Sequence, residues 1–490
     1  MDGILAIDQG TTSSRALIVD RGGKPHSLVQ IPVSLSHPHV GWVEQDPMEI
    51  LRGQIDVAQR ALQQSKCRAL AVGITNQRET TIVWDRKSGA PVSPAIVWQD
   101  RRTAQLCQSL RERGHANLIR ERTGLVIDPY FSATKLMWIL DSDPELRRRA
   151  QAGELCFGTI DSFLVWHLTS GKVHVTDVTN ASRTMLFNIH TLEWDSELLA
   201  LFDIPREMLP TVASSSEVYG EIELEGPLRG IPIAGLCGDQ QSALFGQLCL
   251  RPGMAKNTYG TGCFLVMTTG SAACASSHGL ITTIAWKIGG ATTYALEGSV
   301  FVAGAAVQWL RDELGVITRA EEVEQLALSV PDSAGVVFVP TFTGFGAPHW
   351  DAEARGAIYG LTRGTTRAHI ARAALEGVAF QVADVVAAMK QDSGLPLTEL
   401  RVDGGASANT FLMQFQSDVL GSTLVRPRCL ETTAMGAAFL AGLAVKFWNG
   451  TDELEQLWQE ERRFTPQASQ SNIEQQRAAW KDAVRRTRST

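Results

Sequence analysis

The chain has 490 residues, and its content of 44% hydrophobic and 20% charged residues is typical of a globular protein and excludes a disordered one. This length allows two or three domains with large buried cores. The formal net charge of -7 and the shortness of the basic clusters argue against a nucleic-acid partner.

The N-terminal segment predicts an antiparallel meander that leads into an α/β domain. A turn of small polar residues at 8–14 separates the first two strand patterns. A helix is expected after Asp46, because Pro47 suits the first helical position and apolar residues then recur at helical spacing. The strands of this segment are predicted at residues 3–7, 15–19, 28–33 and 68–74. Strand, helix and strand alternate here as in an α/β domain.

A similar pattern begins again in the second half of the chain. Its strands are predicted at residues 231–236, 254–258, 264–267, 280–287 and 292–296. The turn Gly260-Thr261-Gly262 lies between two strands, as Gly10-Thr11-Thr12 does in the first half. A long helix at 366–389 carries an apolar stripe that indicates core packing. We therefore predict two related domains that face each other, residues 1–246 and residues 247–490.

The first turn, DQGTTSS at residues 8–14, has the composition of a phosphate-binding loop. Its backbone N–H groups and hydroxyls suit phosphate oxygens, while Asp8 suits a Mg2+ ion, usually held through water. Arg15 would add a charge-assisted contact to a phosphate oxygen. The same residues also fit an Asx or Ser/Thr turn that merely ends a hairpin, so this segment alone leaves both interpretations open.

Two further glycine loops favour a nucleotide site. They are NTYGTGCF at 257–264 and VDGGASAN at 402–409, and each follows a strand pattern. A glycine pair after a strand is often only a tight turn, but three such loops in this order indicate a cleft. The sequence lacks both the G-x-x-x-x-G-K-[ST] motif and the protein-kinase H-R-D and D-F-G motifs, which excludes those two classes of enzyme.

Paired phosphate loops on two facing domains suggest the fold shared by actin, Hsp70 and sugar kinases. We therefore predict an α/β protein with two related actin-like (ribonuclease H-like) domains flanking an interdomain ATP cleft. This fold serves filaments, chaperones and enzymes, so the function has to be argued from the site.

The cysteines and the N-terminal segment bear on the compartment. Eight cysteines are scattered without a C-x-x-C pair, which fits neither a disulfide framework nor a zinc site and predicts a reducing compartment. The first residues lack a basic leader, and no apolar run reaches the ~18 residues of a membrane-spanning helix. We expect a cytoplasmic protein with no membrane partner.

Several longer strings carry a family resemblance that covers nearly the whole chain. YFSATKLMWILD at 130–141 and the segment from Gly356 through GLTRGT at 360–365 to Glu376 are similar to the two signatures of the FGGY family of carbohydrate kinases. Narrower strings resemble the glycerol-phosphorylating members of that family; they are NQRETT at 76–81, VWQDRRT at 97–103, DPYFS at 128–132, GDQQSALFGQ at 238–247 and YGTGCF at 259–264.

The resemblance implies roles for residues on both sides of the cleft. For glycerol it implies a set of hydrogen-bonding residues, Arg78, Glu79, Tyr130, Asp239 and Gln240, and two aromatic walls, Trp98 and Phe264. This agrees with the chemistry of a triol, which needs convergent donors and acceptors against aromatic faces. In the same way Asp239 is expected to be the general base that accepts the proton of the attacking hydroxyl.

For ATP and its Mg2+ the resemblance implies contacts from the three glycine loops and one helix. The phosphate-binding residues would be Thr11, Thr12, Ser13, Arg15 and Thr261, and the adenosine and its phosphates would be held by Gly304, Gln308, Gly405 and Asn409. The resemblance also implies a homo-oligomer, a dimer or a tetramer.

Two alternatives stay open from the sequence. One is a kinase of the same family for another polyol or a pentulose such as xylulose. The predicted substrate-binding residues Arg78, Glu79, Trp98 and Phe264 favour glycerol over it. The other is an actin-like or Hsp70-like ATPase that produces a conformational change. Against it stand the absence of a separate peptide-binding segment and the presence of a dedicated set of residues for a small ligand.

Overall fold

The computed structural model describes residues 1–489. The strands of the first half are β1 (Asp2–Gln9), β2 (Ser13–Asp20), β3 (Pro25–Pro32), β4 (Glu44–Gln45), β5 (Arg68–Asn76), β6 (Ile82–Asp85), β7 (Ala95–Ile96), β8 (Leu155–Gly158), β9 (Val175–Asp177), β10 (Phe187–Asn188), β11 (Glu193–Trp194), β12 (Thr211–Ala213), β13 (Ser216–Glu221) and β14 (Pro232–Gly238). Its helices are α1 (Pro47–Ser65), α2 (Ala104–Glu112), α3 (Ala116–Thr123), α4 (Ser132–Ser142), α5 (Pro144–Gln151), α6 (Ile160–Leu168), α7 (Val178–Ala181), α8 (Ser196–Phe202) and α9 (Asp239–Gly246).

The second half continues the same alternation of strands and helices. Its strands are β15 (Met254–Tyr259), β16 (Cys263–Gly270), β17 (Ile281–Ile288), β18 (Ala291–Val300), β19 (Val337–Val339), β20 (Ala357–Tyr359), β21 (Glu399–Asp403), β22 (Leu424–Pro427) and β23 (Glu460–Phe464). Its helices are α10 (Gly304–Asp312), α11 (Glu322–Leu328), α12 (Arg367–Ser393), α13 (Thr410–Leu420), α14 (Thr432–Ala444), α15 (Thr451–Leu457) and α16 (Gln470–Thr487).

The two halves repeat one pattern of strand pairing. In the first, β1 runs antiparallel to β2 and parallel to β5, in the order β3-β2-β1-β5-β14. In the second, β15 runs antiparallel to β16 and parallel to β21, in the order β18-β16-β15-β21-β22. A bridge between Ser216 and Ile288 joins them into one 13-stranded sheet. The repeated order confirms the predicted α/β fold of two related domains; the boundary at 246/247 stays a prediction.

The predicted strands are all present, but the first predicted turn is shorter than expected. Asp8 pairs with Arg15 and Gln9 with Ser14, so β1 and β2 extend to the edge of a turn at residues 10–12. The sequence suggested a longer turn because residues 8–14 are polar, whereas the strand register continues through these polar side chains.

The helices begin and end where the local chemistry predicts. The Asp46 side chain accepts a hydrogen bond from the Met48 N–H and so caps α1, with Pro47 in the first turn. The long helix predicted at 366–389 is α12, which continues to Ser393 and ends where Gly394 takes the left-handed φ of 67°. No helix within residues 1–489 combines the length and the apolar character that crossing a lipid bilayer requires.

The hydrophobic core covers both faces of the central sheet. Leu5 and Ile7 pack in one cluster with α1, whereas Ile4 and Ala6 pack in another with α14, as the alternation of a strand requires. On β5 a Cβ at Gly73 would lie 2.0 Å from a carbonyl oxygen of α14, so only glycine allows this close contact. The tight packing fixes the carboxyl end of β5 and of its parallel neighbour β14, where candidate site residues follow.

Candidate active site

The first predicted phosphate loop, called the first phosphate loop below, is the turn at residues 10–12 that connects β1 to β2. The Thr11 carbonyl accepts a hydrogen bond from Gln45 Nε2 over 2.7 Å, and the Thr12 carbonyl accepts one from the Val33 N–H over 3.0 Å. Neighbouring segments therefore hold the loop through its acceptor groups. The Thr11 hydroxyl oxygen accepts from the Trp98 indole N–H, and the O–H hydrogens of Thr11 and Thr12 are left to donate to an anionic ligand.

Asp8 and Arg15 lie opposite each other at the base of this loop. The Asp8 side chain is only 6% exposed, and burial raises its pKa to about 7 against the opposing charge of Arg15. Arg15 donates to Ser13 Oγ over 3.2 Å and lies 3.4 Å from a carboxylate oxygen of Glu431 in the second half. The loop thus carries a carboxylate and a cation at the boundary between the two halves.

The second predicted phosphate loop, called the second phosphate loop below, is the turn at residues 260–262, which lies against the start of α10. The Gly304 N–H donates to the Gly260 carbonyl over 3.0 Å, and the Ala303 N–H donates to the Thr261 carbonyl over 2.8 Å. A Cβ at Gly304 would lie 2.6 Å from the Gly260 oxygen. Because the Gly304 N–H is already bonded, any role of this residue in nucleotide binding rests on the close approach of helix and loop.

The third glycine loop follows β21 and packs against the second. Gly404 has a φ of 84°, and a Cβ there would lie 2.6 Å from the Tyr259 carbonyl oxygen. At Gly405, by contrast, an added Cβ would meet no atom of residues 1–489 within 4 Å. Asn409 caps α13 by accepting from the Leu412 N–H over 2.8 Å, so its amide nitrogen remains for a ligand. These loops form one side of the predicted nucleotide site.

Three aromatic side chains line the space beside the first phosphate loop. The Trp98 ring packs edge-to-face against two other rings. The distance between ring centroids is 5.5 Å to Tyr130 and 6.4 Å to Phe264. Its indole N–H donates to Thr11 Oγ1 over 2.9 Å. Phe264 belongs to β16 of the second half, so both halves contribute to this wall. The structure therefore brings together the three aromatic residues that the sequence assigned to substrate binding.

A cluster of charged side chains lies where β5 and β14 end. These strands are parallel neighbours, so Arg78 and Glu79 after β5 meet Asp239 at the start of α9. Arg78 Nε lies 3.3 Å from Glu79 Oε1 and 3.4 Å from Asp239 Oδ1. It is buried and has no hydrogen-bond partner of suitable geometry among residues 1–489. Asp239 is 27% exposed and is the most accessible of the three.

The sequence did not predict Glu297 and Arg183, two residues that bind Arg78 and Glu79 on the side away from Asp239. Glu297 on β18 accepts from both terminal nitrogens of Arg78 over 2.6 Å. Arg183 donates to Glu79 Oε1 over 2.9 Å and to Glu297 Oε1 over 3.1 Å. A single carboxylate within the apolar stretch of β18 was the available signal, because such residues are almost never fully buried unless paired.

Lys135, from the first family signature, is buried beneath the same cluster. Its Nζ donates to the Tyr130 carbonyl over 2.6 Å and to the Glu79 carbonyl over 3.2 Å. Burial lowers the pKa of Lys135 to about 8, and burial also raises the pKa of the Tyr130 phenol far above its usual range. The Tyr130 hydroxyl therefore keeps its proton and is able both to donate and to accept a hydrogen bond.

Gln240 is positioned by a second buried lysine that the sequence also missed. Gln240 Oε1 accepts a hydrogen bond from Lys256 Nζ, and this amine also donates to Thr258 Oγ1 over 2.9 Å. Burial lowers the pKa of Lys256. Because the Gln240 oxygen is engaged from β15, its Nε2 group is the part of the side chain left for a ligand.

The oxygen groups near the first loop fit a hydrated magnesium ion. The charges of Asp239 and Glu431 act on Asp8, which places three carboxylates in one region. Within residues 1–489 no group of three or more His, Cys, Asp or Glu side chains forms a closed metal cage. Mg2+ commonly binds through one or two carboxylates, several waters and substrate phosphates. The residues present therefore suit an ion that is bound jointly with a nucleotide.

Most predicted site residues lie in two adjoining groups, one of aromatic and charged residues and one of glycine loops. Gln308 is the least supported of them, since its side chain is exposed on α10. Thr261 is exposed on the second loop, at a position suited to a phosphate contact. The roles assigned to individual residues remain predictions.

Residues 3–246 match the FGGY family of carbohydrate kinases, N-terminal domain, and residues 255–445 match the C-terminal domain. The glycerol kinase of Aromatoleum aromaticum is 60% identical over 491 residues, with 100% of this chain and 99% of the relative covered. The crystal structure of Plasmodium falciparum glycerol kinase with ADP superposes with a TM-score of 0.96 at 37% identity, covering 99% of this chain and 98% of that one.

A xylulose kinase from Lactobacillus acidophilus shares the fold, with a TM-score of 0.90 and 24% identity over 99% of this chain and 97% of its own. The two solved structures agree with the fold described above, and both family segments and the full-length relative agree on the family. The chain belongs to the FGGY family of carbohydrate kinases.

Proposed function

We propose that the chain transfers the γ-phosphoryl group of ATP to a terminal hydroxyl of glycerol, which yields sn-glycerol 3-phosphate and ADP. A full-length relative at 60% identity is a glycerol kinase, and a solved glycerol kinase at 37% identity binds ADP. The observation that carries the proposal within the site is the buried Arg78 Nε, without a partner, beside the carboxylates of Glu79 and Asp239.

The polar cluster and the aromatic wall match the chemistry of a small triol. A hydroxyl both donates and accepts hydrogen bonds, so one hydroxyl can accept from Arg78 Nε and donate to a neighbouring carboxylate. Tyr130 and the Nε2 group of Gln240 would serve further hydroxyls, while Trp98 and Phe264 would pack against the carbon chain.

Asp239 is the proposed general base. It is the partly exposed carboxylate of the cluster, and its Oδ1 accepts from the Gln240 N–H over 2.7 Å, which orients the carboxylate at the start of α9. In phosphoryl transfer with a loose transition state, alignment of the attacking oxygen matters more than early proton removal. Asp239 would therefore align the terminal hydroxyl first and accept its proton as the bond to phosphorus forms.

The nucleotide would bind between the glycine loops. Hydroxyls and N–H groups of Thr11, Thr12, Ser13 and Thr261, with the Arg15 guanidinium, would contact the phosphates. Gly304, Gln308, Gly405 and Asn409 would hold the adenosine and its phosphates, with the open space at Gly405 in support. Mg2+ held by Asp8 would supply charge neutralisation on the phosphate oxygens.

Further proposals concern the compartment and the assembly. All eight cysteines are free thiols, which supports a reducing, cytoplasmic location. The family resemblance supports a homodimer or a homotetramer with glycerol as the small-molecule substrate, and no nucleic acid or membrane as partner.

A coupled assay of ADP release across glycerol, dihydroxyacetone, erythritol and xylulose tests the activity. We expect glycerol to have the highest kcat/KM. A preference for xylulose of tenfold or more would instead indicate a pentulose kinase, and ATP turnover that no polyol changes would indicate an ATPase of the actin or Hsp70 class. Mass spectrometry of the product distinguishes sn-glycerol 3-phosphate formation from uncoupled hydrolysis of ATP.

A further inference from the structure

Four charged side chains form one buried network behind the proposed polyol site. Arg78, Glu79, Arg183 and Glu297 are each at most 2% exposed, and two positive charges face two negative ones. Burial by itself raises the pKa of Glu297, but the charges of Arg183 and Arg78 outweigh it and hold that pKa at about 2. Glu297 is therefore charged when the network is assembled at neutral pH, whereas burial raises the pKa of Glu79 against the charges of Arg78 and Arg183.

The network connects the two halves of the chain. Arg78, Glu79 and Arg183 belong to the family segment 3–246, whereas Glu297 belongs to the segment 255–445. Two other ion pairs between the halves, made by Arg15 and by Arg21, have side chains that are 27–50% exposed. Glu297 thus reaches across the boundary in a much less accessible place than these pairs.

The contacts fix the orientation of both residues that face the substrate. Arg78 directs its two terminal nitrogens to Glu297, and one of them also donates to Gln241 Oε1 over 2.8 Å. Nε is then the one nitrogen of this guanidinium without a hydrogen-bond partner among residues 1–489, and it lies 3.4 Å from Asp239 Oδ1. On the other side, Arg183 holds Oε1 of Glu79. The orientation of Arg78 and Glu79 therefore depends on Glu297 and Arg183, which lie behind them.

We propose that Glu297 and Arg183 are positioning residues for glycerol, and that Glu297 makes the polyol site of the first half depend on the second half. This inference rests on the proposed function. Neither residue has to contact the substrate: Glu297 holds the Arg78 guanidinium so that Nε faces the substrate hydroxyl, and Arg183 holds the Glu79 carboxylate in the matching orientation.

A purely structural role makes a different prediction. Removing one partner of a buried ion pair is expected to destabilise the fold wherever the pair lies, since a charge is left buried without compensation. A positioning role adds a selective loss of glycerol binding. The two roles are therefore separated by the glycerol KM, compared with the KM for ATP and with a buried ion pair elsewhere.

The test compares Glu297→Gln and Arg183→Lys with wild type and with a control, Glu376→Gln. Glu376 is 7% exposed and pairs with Arg372 over 2.9 Å within α12, so its substitution makes the same chemical change outside the cluster. We expect both cluster variants to raise the glycerol KM by at least ~10-fold while the KM for ATP changes by less than ~3-fold. Glu376→Gln should lower the Tm but leave both KM values near wild type.

The conservative variant Glu297→Asp gives a second measurement. It keeps the charge but shortens the reach to Arg78, so we expect a glycerol KM between those of wild type and Glu297→Gln, with the Tm closer to wild type. A wild-type glycerol KM in folded Glu297→Gln and Arg183→Lys would overturn the proposal. Failure of all three cluster variants to fold while Glu376→Gln folds would also overturn it, since the network would then be structural.

The wild-type protein separates failure of this inference from failure of the proposed function. If wild type does not phosphorylate glycerol, the proposed function is wrong and the inference falls with it. If wild type phosphorylates glycerol and the cluster variants have unchanged glycerol KM values, the proposed function stands and the positioning role is wrong.

Discussion

Trp98 donates its indole N–H to Thr11 Oγ1 over 2.9 Å, which links the proposed substrate wall directly to the first phosphate loop. The Trp98 ring also contacts the Phe264 ring on β16, so one side chain touches a loop of the first half and a strand of the second. A ligand that moves the ring would therefore also move the Thr11 hydroxyl.

Trp98→Phe should distinguish the aromatic contact of Trp98 with glycerol from its hydrogen bond to Thr11. Phenylalanine keeps an aromatic face for glycerol but cannot donate to Thr11, and one such bond contributes roughly 0.5–1.5 kcal/mol, or about 2–10-fold in affinity. We expect kcat/KM for ATP to fall by about that factor and the glycerol KM to change less. Steady-state kinetics with each substrate varied in turn provide the measurement.

The matched control for this prediction is Trp194→Phe. Trp194 donates its indole N–H to the Pro210 carbonyl over 2.8 Å, away from the cleft, so this variant loses the same type of bond. It should lower the Tm with unchanged kinetics. Equal kinetic effects in the two variants would show that the Trp98 bond has no particular role in ATP binding.

Gly304→Ala should impair nucleotide binding through the second loop. The added Cβ would lie 2.6 Å from the Gly260 carbonyl oxygen, so either α10 or the loop has to move. Overpacking of this kind costs about 1–3 kcal/mol, which corresponds to a rise of roughly 5–150-fold in the KM for ATP. Gly290→Ala is the control, since a Cβ there meets no atom of residues 1–489 within 4 Å. An unchanged KM for ATP in Gly304→Ala would contradict the assignment.

Lys135→Met should change how the stability of the protein depends on pH, because it removes a buried amine whose charged form is unfavourable in the folded state. Burial lowers the pKa of Lys135 to about 8 from the usual value of 10.5, so the unfolded chain binds more protons than the folded one between these pH values. Stability from this group therefore rises with pH in that window. Between pH 7.5 and pH 9.5 we expect the free energy of unfolding of wild type to rise by about 1–2 kcal/mol relative to that of Lys135→Met.

Urea unfolding of both proteins at a series of pH values measures this difference. Because the neutral amine still has two hydrogens, it can continue to donate to both the Glu79 and the Tyr130 carbonyls. The variant should also raise the glycerol KM, since these two carbonyls belong to residues of the polyol site. Parallel stability profiles for the two proteins would show that the pKa of Lys135 is not lowered.

The sequence predicted the two phosphate loops because each is recognised from neighbouring residues alone. Strand patterns flanked by glycine and threonine identified residues 10–12 and residues 260–262, and the structure places both between paired strands. The aromatic wall was predicted only through family resemblance, since a lone tryptophan is more often part of a core. Trp98 and Phe264, together with Tyr130 beside them, come from separate segments that only the tertiary fold brings together.

The charged network behind the site could not be predicted from local pattern. Arg78 and Glu297 are separated by 219 positions, so no spacing rule connects them. A carboxylate within apolar β18 indicates that a partner exists but does not say which one. The same holds for Lys256, whose contact with Gln240 depends on how β15 packs beside α9. Long-range partners of buried charges follow from topology, which the strand patterns predict only in outline.

Asp239→Asn should remove the proposed general base while preserving the local structure. The amide oxygen of asparagine can still accept from the Gln240 N–H, a bond of 2.7 Å in the structure, so the start of α9 should be retained. Loss of a general base typically lowers kcat by at least ~100-fold, and ATP affinity measured by calorimetry should stay within about threefold of wild type. Asp195→Asn is a suitable control, because Asp195 caps α8 away from the cleft and asparagine is an equally good cap. A kcat near the wild-type value in Asp239→Asn would exclude Asp239 as the general base and leave it, at most, a role in orienting glycerol. Proton acceptance by Asp239 requires the other outcome, a large fall in kcat with ATP still bound.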